Sequence, residues 1–387
     1  MRVLVFESKR LGYDSSWCFA EMICRGLEQC GVSVKRFILE EDIAGQEREL
    51  RKLTEEHFDG MIDINSLLPH VLLDDRYFPD YFDAPFFQFI VDHPMHLHNS
   101  LAVPLKHCRV ICLDCHHKEY LERHYPHIEK VYVLPFGGIP ASEFTEEKSE
   151  AVPMKDRKYD VLFPGTYTPS DYYRSQMDCV SDFQYRIAQE ILHQYRQGST
   201  RPLEELFAEQ VEDREFFALQ MYHARMIDRY IREWYREFIL NELLRAGIHV
   251  DVVGSRWELF CPSVPQNLHI HPPCPYPEQL MLLGQSRMVL NVQPLFWDGV
   301  HDRVVNAMAN GSIALTDSCG FIRREFVDGK EILIYDKNNP NQAAHMVLEL
   351  LQAPDRLEQM AVDAENAVSH HSWTAHIENF LESLLFH

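Results

Sequence analysis

The stretch Ser286–Asp336 reads SRMVLNVQPLFWDGVHDRVVNAMANGSIALTDSCGFIRREFVDGKEILIYD, and its alternation of elements decides the fold. Met288–Val292 has the composition of a buried strand. A glycine-containing loop, Phe296–Gly299, follows it, and then a short helix predicted over Asp302–Asn310. Gly311 stands where a left-handed cap residue ends that helix at little cost. A second strand, Ile313–Thr316, another helix, an Asp328-Gly329 turn and a third strand, Glu331–Tyr335, complete the pattern. Strand–helix–strand units with short loops imply a parallel sheet, and such sheets bind ligands at the carboxyl ends of their strands. The short helix carries Val304, Val305 and Met308 on one side, and Arg303, Asn306 and Asn310 on the other at i, i+3 and i+7. A helix N-terminus with an arginine in its first turn and a glycine loop before it suits a diphosphate.

The residues of this stretch resemble a known family. Asp298 and Asn306 stand eight apart, the spacing of the Glu-x7-Glu element of group 1 glycosyltransferases of the GT-B fold. The run DGVHDRVVNAMANGSIALTD followed by FVDGKEILIYD is similar to the CgeB-like branch, in which an arginine precedes the helix and other polar groups replace the glutamates. The resemblance implies two Rossmann-like domains facing a cleft, with a nucleotide-sugar held by the second. It also implies that the Asp298 and Asn306 positions contact sugar and ribose, and that C-terminal helices return to brace the first domain.

Composition bounds the alternatives. At 387 residues the chain suffices for two ordinary domains. Lys plus Arg (37) against Asp plus Glu (59) leaves a net charge of −22, which argues against a nucleic-acid or anionic-membrane surface. No apolar run approaches a membrane span, and Met1-Arg2 leads straight into a strand, Val3–Phe6, so a cytoplasmic location is expected. The ten cysteines are scattered and should stay reduced.

Strand patterns recur at Val32–Ile38, Asp59–Ile64, Pro85–Val91, Arg109–Leu113 and Lys130–Leu134, with a helix over Trp17–Cys30. Their carboxyl edges carry Glu7-Ser8, Asn65-Ser66 and Asp92-His93. Residues 1–152 are therefore expected to form a Rossmann-like domain, closed by prolines 135, 140 and 153 and the acidic run Glu143–Glu150, and the resemblance makes it the acceptor-side domain. Residues 153–365 are expected to form a second Rossmann-like domain, which the resemblance makes the nucleotide-sugar-binding one, starting with the strand Tyr159–Phe163 and interrupted by a helical insertion over roughly 177–246. The resemblance implies that residues 366–387 form a C-terminal helix bracing the first domain. In the insertion, Ile227, Tyr230, Ile231, Trp234 and Phe238 make an apolar stripe, while Glu204, Glu205, Glu209, Glu212, Asp213, Arg214 and Glu215 read as a solvated face.

The candidate donor site gathers Arg303 for the diphosphate, Asn306 and Asp298 for ribose or sugar, the amides around Gly299 and Val300 for phosphate, and His301 as a donor to the leaving group. Gly165 and Thr166 end the first strand of the second domain, with Arg174 close by in sequence. A turn glycine and a solvated arginine explain those three equally well. Tyr276 is either a wall for the nucleotide base or a loop aromatic. Thr316 ends the next strand, and Asp317 is either in the site or an N-cap. Asp92 and His93, fixed by Pro94, suit a general base for an acceptor hydroxyl, and loop capping is the competing account. His93, His96 and His98 lack further ligands at metal spacing. Cys112-Leu-Asp-Cys115-His116 matches a haem-attachment pattern without an export signal, which makes it a chance match.

The function expected is transfer of a hexosyl-like group from a nucleotide-sugar co-substrate to an acceptor hydroxyl on a protein, glycan or small molecule, with no metal and no other cofactor. A catalytically weak nucleotide-sugar-binding partner of another transferase is the alternative, since neither glutamate of the element is present. A sugar-nucleotide epimerase on the same plan is the third.

Overall fold

The computed structural model describes residues 1–8, 15–40, 42–65, 68–145, 152–178, 182–211, 215–293 and 295–385. Ser66, residues 146–150 of the acidic run, and Glu212, Asp213 and Arg214 lie outside the described residues. The chain divides into two units, residues 1–135 with 217–222 and 373–387, and residues 136–216 with 223–372.

The first unit is built on six parallel strands: β1 (Arg2–Ser8), β2 (Ser33–Leu39), β3 (Gly60–Ile64), β4 (Phe86–Phe89), β5 (Cys108–Cys112) and β6 (Lys130–Val133), in spatial order β2-β1-β3-β4-β5-β6. Strands covered on both faces must be apolar along their length rather than alternating. VLVF of β1 and FF-F of β4 satisfy that, and all of β3 and β4 is buried. Helix α1 (Ser15–Gln29) packs against β1 and against the C-terminal helix of the chain, Trp373–Leu385. Trp373, fully buried, meets the rings of Phe19 and Phe89 at 6.0 and 6.2 Å. Phe380 meets Phe87 and Tyr132 edge-on at 5.7 and 5.3 Å. Helix α2 (Cys115–His124) starts at Asp114, whose carboxylate accepts from the His116 amide at 2.7 Å.

The second unit repeats the plan with β7 (Tyr159–Pro164), β8 (Val250–Val253), β9 (Leu268–His271), β10 (Ser286–Asn291), β11 (Ile313–Asp317) and β12 (Leu333–Tyr335). All pair in parallel, in the order β9-β8-β7-β10-β11-β12. Chain order runs one way from β7 and then jumps to β10 on its other side, so the β7/β10 junction is the topological switch point. The expected α/β class with two Rossmann-like sheets and a helical insertion is what the chain forms.

The insertion begins earlier than its charge pattern suggests, with α3 (Ser170–Asp178) and α4 (Asp182–Arg196), and ends with α5 (Met226–Arg245). Helix α5 packs on α3, on α4 and on the later helix Pro340–Leu351, so it is covered on several sides. Ile227, Tyr230 and Ile231 of the expected stripe are buried, whereas Trp234 and Phe238 are half-buried and stack on each other at 4.9 Å. One correction concerns charge: Glu204 is buried rather than solvated. Helix α5 also buries Asp228 and Glu233. Burial on more than one face defeats a reading that assumes one apolar stripe and one wet side. Helix α6 (Asp302–Ala309) follows β10. No helix among the described residues is long and apolar enough to cross a membrane.

Candidate functional site

Strands β7 and β10 end side by side, and one guanidinium joins their ends. Arg303, in the first turn of α6, donates from Nε to the Pro164 carbonyl at 3.0 Å and from Nη1 to Asn291 Oδ1 at 2.7 Å. Its guanidinium carbon lies 4.8 Å from the centre of the Phe163 ring. Asn291 is held in turn by donating to Thr316 Oγ1 at 2.9 Å, and Thr316 donates to the Asp317 carbonyl at 3.1 Å. Gly165, next after β7, has φ +148, and a Cβ there would sit 3.3 Å from Arg303 Nη2. Only glycine gives both that backbone and that approach. Burial, together with the charges of Arg236 and Arg232, lowers the Arg303 pKa to about 10, so it stays cationic at neutral pH. Among the described residues no carboxylate forms an ion pair with it.

Behind the arginine runs a second chain of contacts. Asn306 Nδ2 donates to the Tyr276 hydroxyl at 2.7 Å, and that hydroxyl donates to Asp302 Oδ2 at 2.5 Å. The other Asp302 oxygen lies 2.6 Å from His301 Nδ1. The Arg303 amide also points at His301 Nδ1, from 3.1 Å, but one nitrogen cannot accept there and donate to Asp302. The shorter, charge-assisted contact decides it, so Nδ1 carries the proton and Nε2 keeps a lone pair. Burial lowers the His301 pKa against the pull of Asp302. Burial raises that of Asp302, but His301, Arg303 and the Tyr276 hydroxyl outweigh it and hold the carboxyl well below its usual range. The site therefore holds a neutral imidazole on an ionised carboxylate at neutral pH.

Asn306 is committed within the unit, because its Oδ1 accepts from the Ile139 amide at 2.8 Å. Asn310 clamps the same segment, accepting from the Ala141 amide at 2.7 Å and donating to the Ile139 carbonyl at 3.0 Å. Gly138 permits this approach, since a Cβ there would come within 3.0 Å of the Val305 carbonyl. Asn306 and Tyr276 are both buried and act on the site through Asp302.

The remaining expected residues are distributed around this centre. Asp298 accepts from Arg324 Nη1 at 3.0 Å, the Gly299 carbonyl receives the Cys319 thiol at 2.9 Å, and Val300 is fully buried. Thr166 is exposed, and its carbonyl accepts from Arg236 Nη1 at 2.8 Å. Arg174 lies apart from this group, exposed on α3 with its guanidinium 4.8 Å from the Tyr185 ring. Asp317 is not an N-cap. It accepts from the Gln293 amide at 2.8 Å, and Cys319 occupies the cap position of the next helix.

Sequence reasoning missed three groups here. Asn291 ends β10, Gln293 follows it, and Lys337 lies just beyond β12. The Lys337 ammonium sits about 5 Å from the rings of Tyr195, Tyr235 and Trp297. Burial lowers its pKa, and Asp317 and Asp336 oppose that. Burial in turn raises the pKa of Asp317, opposed by Lys337. Their signal was position alone, at the carboxyl end of a parallel strand.

In the first unit, Asp92 Oδ2 accepts from Asn65 Nδ2 at 3.3 Å at the β3 and β4 ends. His93 is buried, with Nδ1 accepting from the Met95 amide at 3.1 Å and its ring 4.7 Å from that of His117. Cys112 is a buried thiol on β5, its pKa driven far upward by burial. Among the described residues no group of three or more His, Cys, Asp or Glu side chains could hold a metal ion.

Comparison with known proteins agrees with this architecture. Residues 232–382 match the profile of a glycosyl transferase-like family. The chain superimposes along its whole length on a sucrose-phosphate synthase from Thermosynechococcus elongatus, at 11% identity with 99% of that chain covered and a TM-score of 0.57. The Anabaena protein HepE, solved with UDP and glucose, gives 10% identity, complete coverage of both chains and 0.58. An alpha-glucosyltransferase solved with UDP gives 11%, complete coverage of both and 0.59. No curated protein sequence matches the chain. At these identities the likeness shows the fold, which is the two-domain GT-B architecture.

Proposed function

We propose that the protein is a glycosyltransferase that moves a hexosyl group from a nucleoside-diphosphate sugar to an acceptor hydroxyl. The observation that carries this reading is Arg303, a cation without a carboxylate ion pair among the described residues, held across the β7/β10 switch point beside Gly165. A dianionic leaving group takes up such charge as it forms, and fixed donors cost no reorganisation at that moment. The match of residues 232–382 to a glycosyl transferase-like family supports the reading, as do the UDP complexes of the structural neighbours. Guanidinium charge does the work that a metal does elsewhere.

In the transfer, the acceptor oxygen bonds to the anomeric carbon as the bond from that carbon to the diphosphate oxygen breaks. Asp92 takes the hydroxyl proton. His93 is the weaker candidate, because its Nδ1 lone pair is engaged by the Met95 amide. The acceptor is a glycan, protein or small molecule bearing a hydroxyl. The Asp302–His301 pair offers a lone pair that suits a hydroxyl of the sugar.

One observation favours the alternative of a binding module without turnover. Asn306, at a position where group 1 enzymes have glutamate, is occupied at both ends of its amide. The test is a panel of UDP-, GDP-, ADP- and dTDP-hexoses, scored for melting shift and for release of nucleoside diphosphate. Binding with slow hydrolysis is expected. Binding with no release under any condition supports the module, and neither response from any donor overturns the function.

A further inference from the structure

Helix α5 is the last helix of the long connection from β7 to β8, and it reaches back to the end of β7. Glu237 accepts from the Tyr167 hydroxyl at 2.8 Å and from the Ser170 amide at 2.7 Å, which fixes α5 against the loop after Gly165. The adjacent residue, Arg236, donates from Nη1 to the Thr166 carbonyl at 2.8 Å. Its guanidinium carbon lies 5.1 Å from the Phe163 ring, the same ring that carries Arg303 at 4.8 Å. Two guanidiniums on one phenyl ring repel each other, and Arg232, one turn back on α5, adds to the field at Arg303. Among the described residues Arg236 forms an ion pair with Glu233 alone, whose two oxygens both lie 2.9 Å from the same Nη1. Both carboxylate oxygens thus serve one nitrogen, while Arg236 Nε is buried with no hydrogen-bond partner among the described residues. A buried donor left unmade is costly and marks a site awaiting an acceptor.

We propose that Arg236 is a second diphosphate-binding residue, supplied by the helical insertion, and that Glu233 holds its place until the nucleotide arrives. This rests on the proposed donor site and adds a wall to it. Arg303 and Arg236 approach from two different helices, so a diphosphate entering beside Gly165 meets cations on both sides. Its oxygens are acceptors for the unmade Nε donor, and its charge competes with Glu233 for the guanidinium. On this account the insertion is part of the donor site, and the donor is selected for two adjacent phosphates rather than one.

The experiment measures dissociation constants of UDP, GDP, ADP and dTDP, and of the corresponding monophosphates, for wild type, Arg236→Gln and Glu233→Gln. Arg236→Gln should weaken the bound diphosphate at least tenfold and its monophosphate by clearly less. Glu233→Gln, which keeps the volume and removes the competing charge, should tighten the diphosphate severalfold. A diphosphate affinity unchanged in Arg236→Gln, or a loss equal for mono- and diphosphate, overturns the inference while leaving the donor site standing. Should Arg236→Gln fail to fold, Glu233→Gln decides alone, and unchanged or weaker binding overturns the inference. If wild type binds none of the four diphosphates, the proposed function falls and the inference with it.

Discussion

At the scale of the residue, Arg303 and His301 carry distinct expectations. Arg303 has two structural bonds, to Pro164 and Asn291, and one arm beside Gly165. Arg303→Ala removes a charge-assisted contact with the diphosphate, and hydrogen bonds to charged groups contribute about 1.5–3 kcal/mol. Nucleoside-diphosphate affinity should fall roughly tenfold to a hundredfold by calorimetry. Arg303→Lys, which keeps the charge but cannot span two strand ends, should fall between the two. Equal affinity in all three proteins would remove the arginine from the site.

His301 makes a separate prediction about pH. Its folded pKa lies below the ordinary histidine value of 6.5, so the unfolded chain takes up the proton first as pH falls. Its contribution to stability is therefore complete above about pH 6.5 and is lost as pH drops toward the folded value. His371 and His70 are shifted in the same direction, also by burial. Urea unfolding at about pH 7.5 and about pH 5.5 should show lower stability at the acid end, and a smaller difference in His301→Gln. An undiminished difference in the variant would mean that His301 does not titrate as its surroundings demand.

At the scale of the element, the sheets were legible and the insertion only partly so. Apolar runs such as MVLNV, with a Gly loop after them and a short helix ending at Gly311, leave few alternatives to a buried parallel strand. The arginine helix and Gly165 were legible for the same reason, as they lie at strand ends. Arg236 and Glu233 were not. They fall in a segment whose charge density reads as solvent-facing, and tertiary cover that no periodicity records buries Glu233 and half-buries Arg236. Helix α5 allows a direct comparison of two apolar positions. Ile231 is fully buried, so Ile231→Ala should cost about 2–5 kcal/mol. Trp234 is half-buried, stacked on Phe238 and under the Arg196 guanidinium at 5.3 Å. Trp234→Ala should cost less, about 1–2 kcal/mol, since part of its surface already faces water. Chemical denaturation ranks them, and a larger loss at Trp234 would mean that its ring is covered by a partner in solution.

At the scale of the whole molecule, the order of residues along the chain differs from the order of packing. The first unit is not complete at Pro135, because Trp373–Leu385 belongs to it and the second unit occupies most of the intervening chain. Trp373, Ile377 and Phe380 are buried among residues of the first sheet and of α1. Loss of one large aromatic from such a core costs about 3–5 kcal/mol, a large share of a domain's stability of about 5–15 kcal/mol. A chain ending at Ser372 loses all three at once and leaves bare the Phe87, Tyr132 and Phe19 faces that they cover. Calorimetry of that truncated chain should show the first unit's transition strongly lowered or absent. The melting shift of the second unit with nucleoside diphosphate should persist, since Gly165, Arg303 and Arg236 all lie within residues 136–372. A truncated chain that melts as wild type does would show that the helix is dispensable to the first core. Loss of the nucleotide response in a second unit that still folds would show instead that donor binding draws on the first.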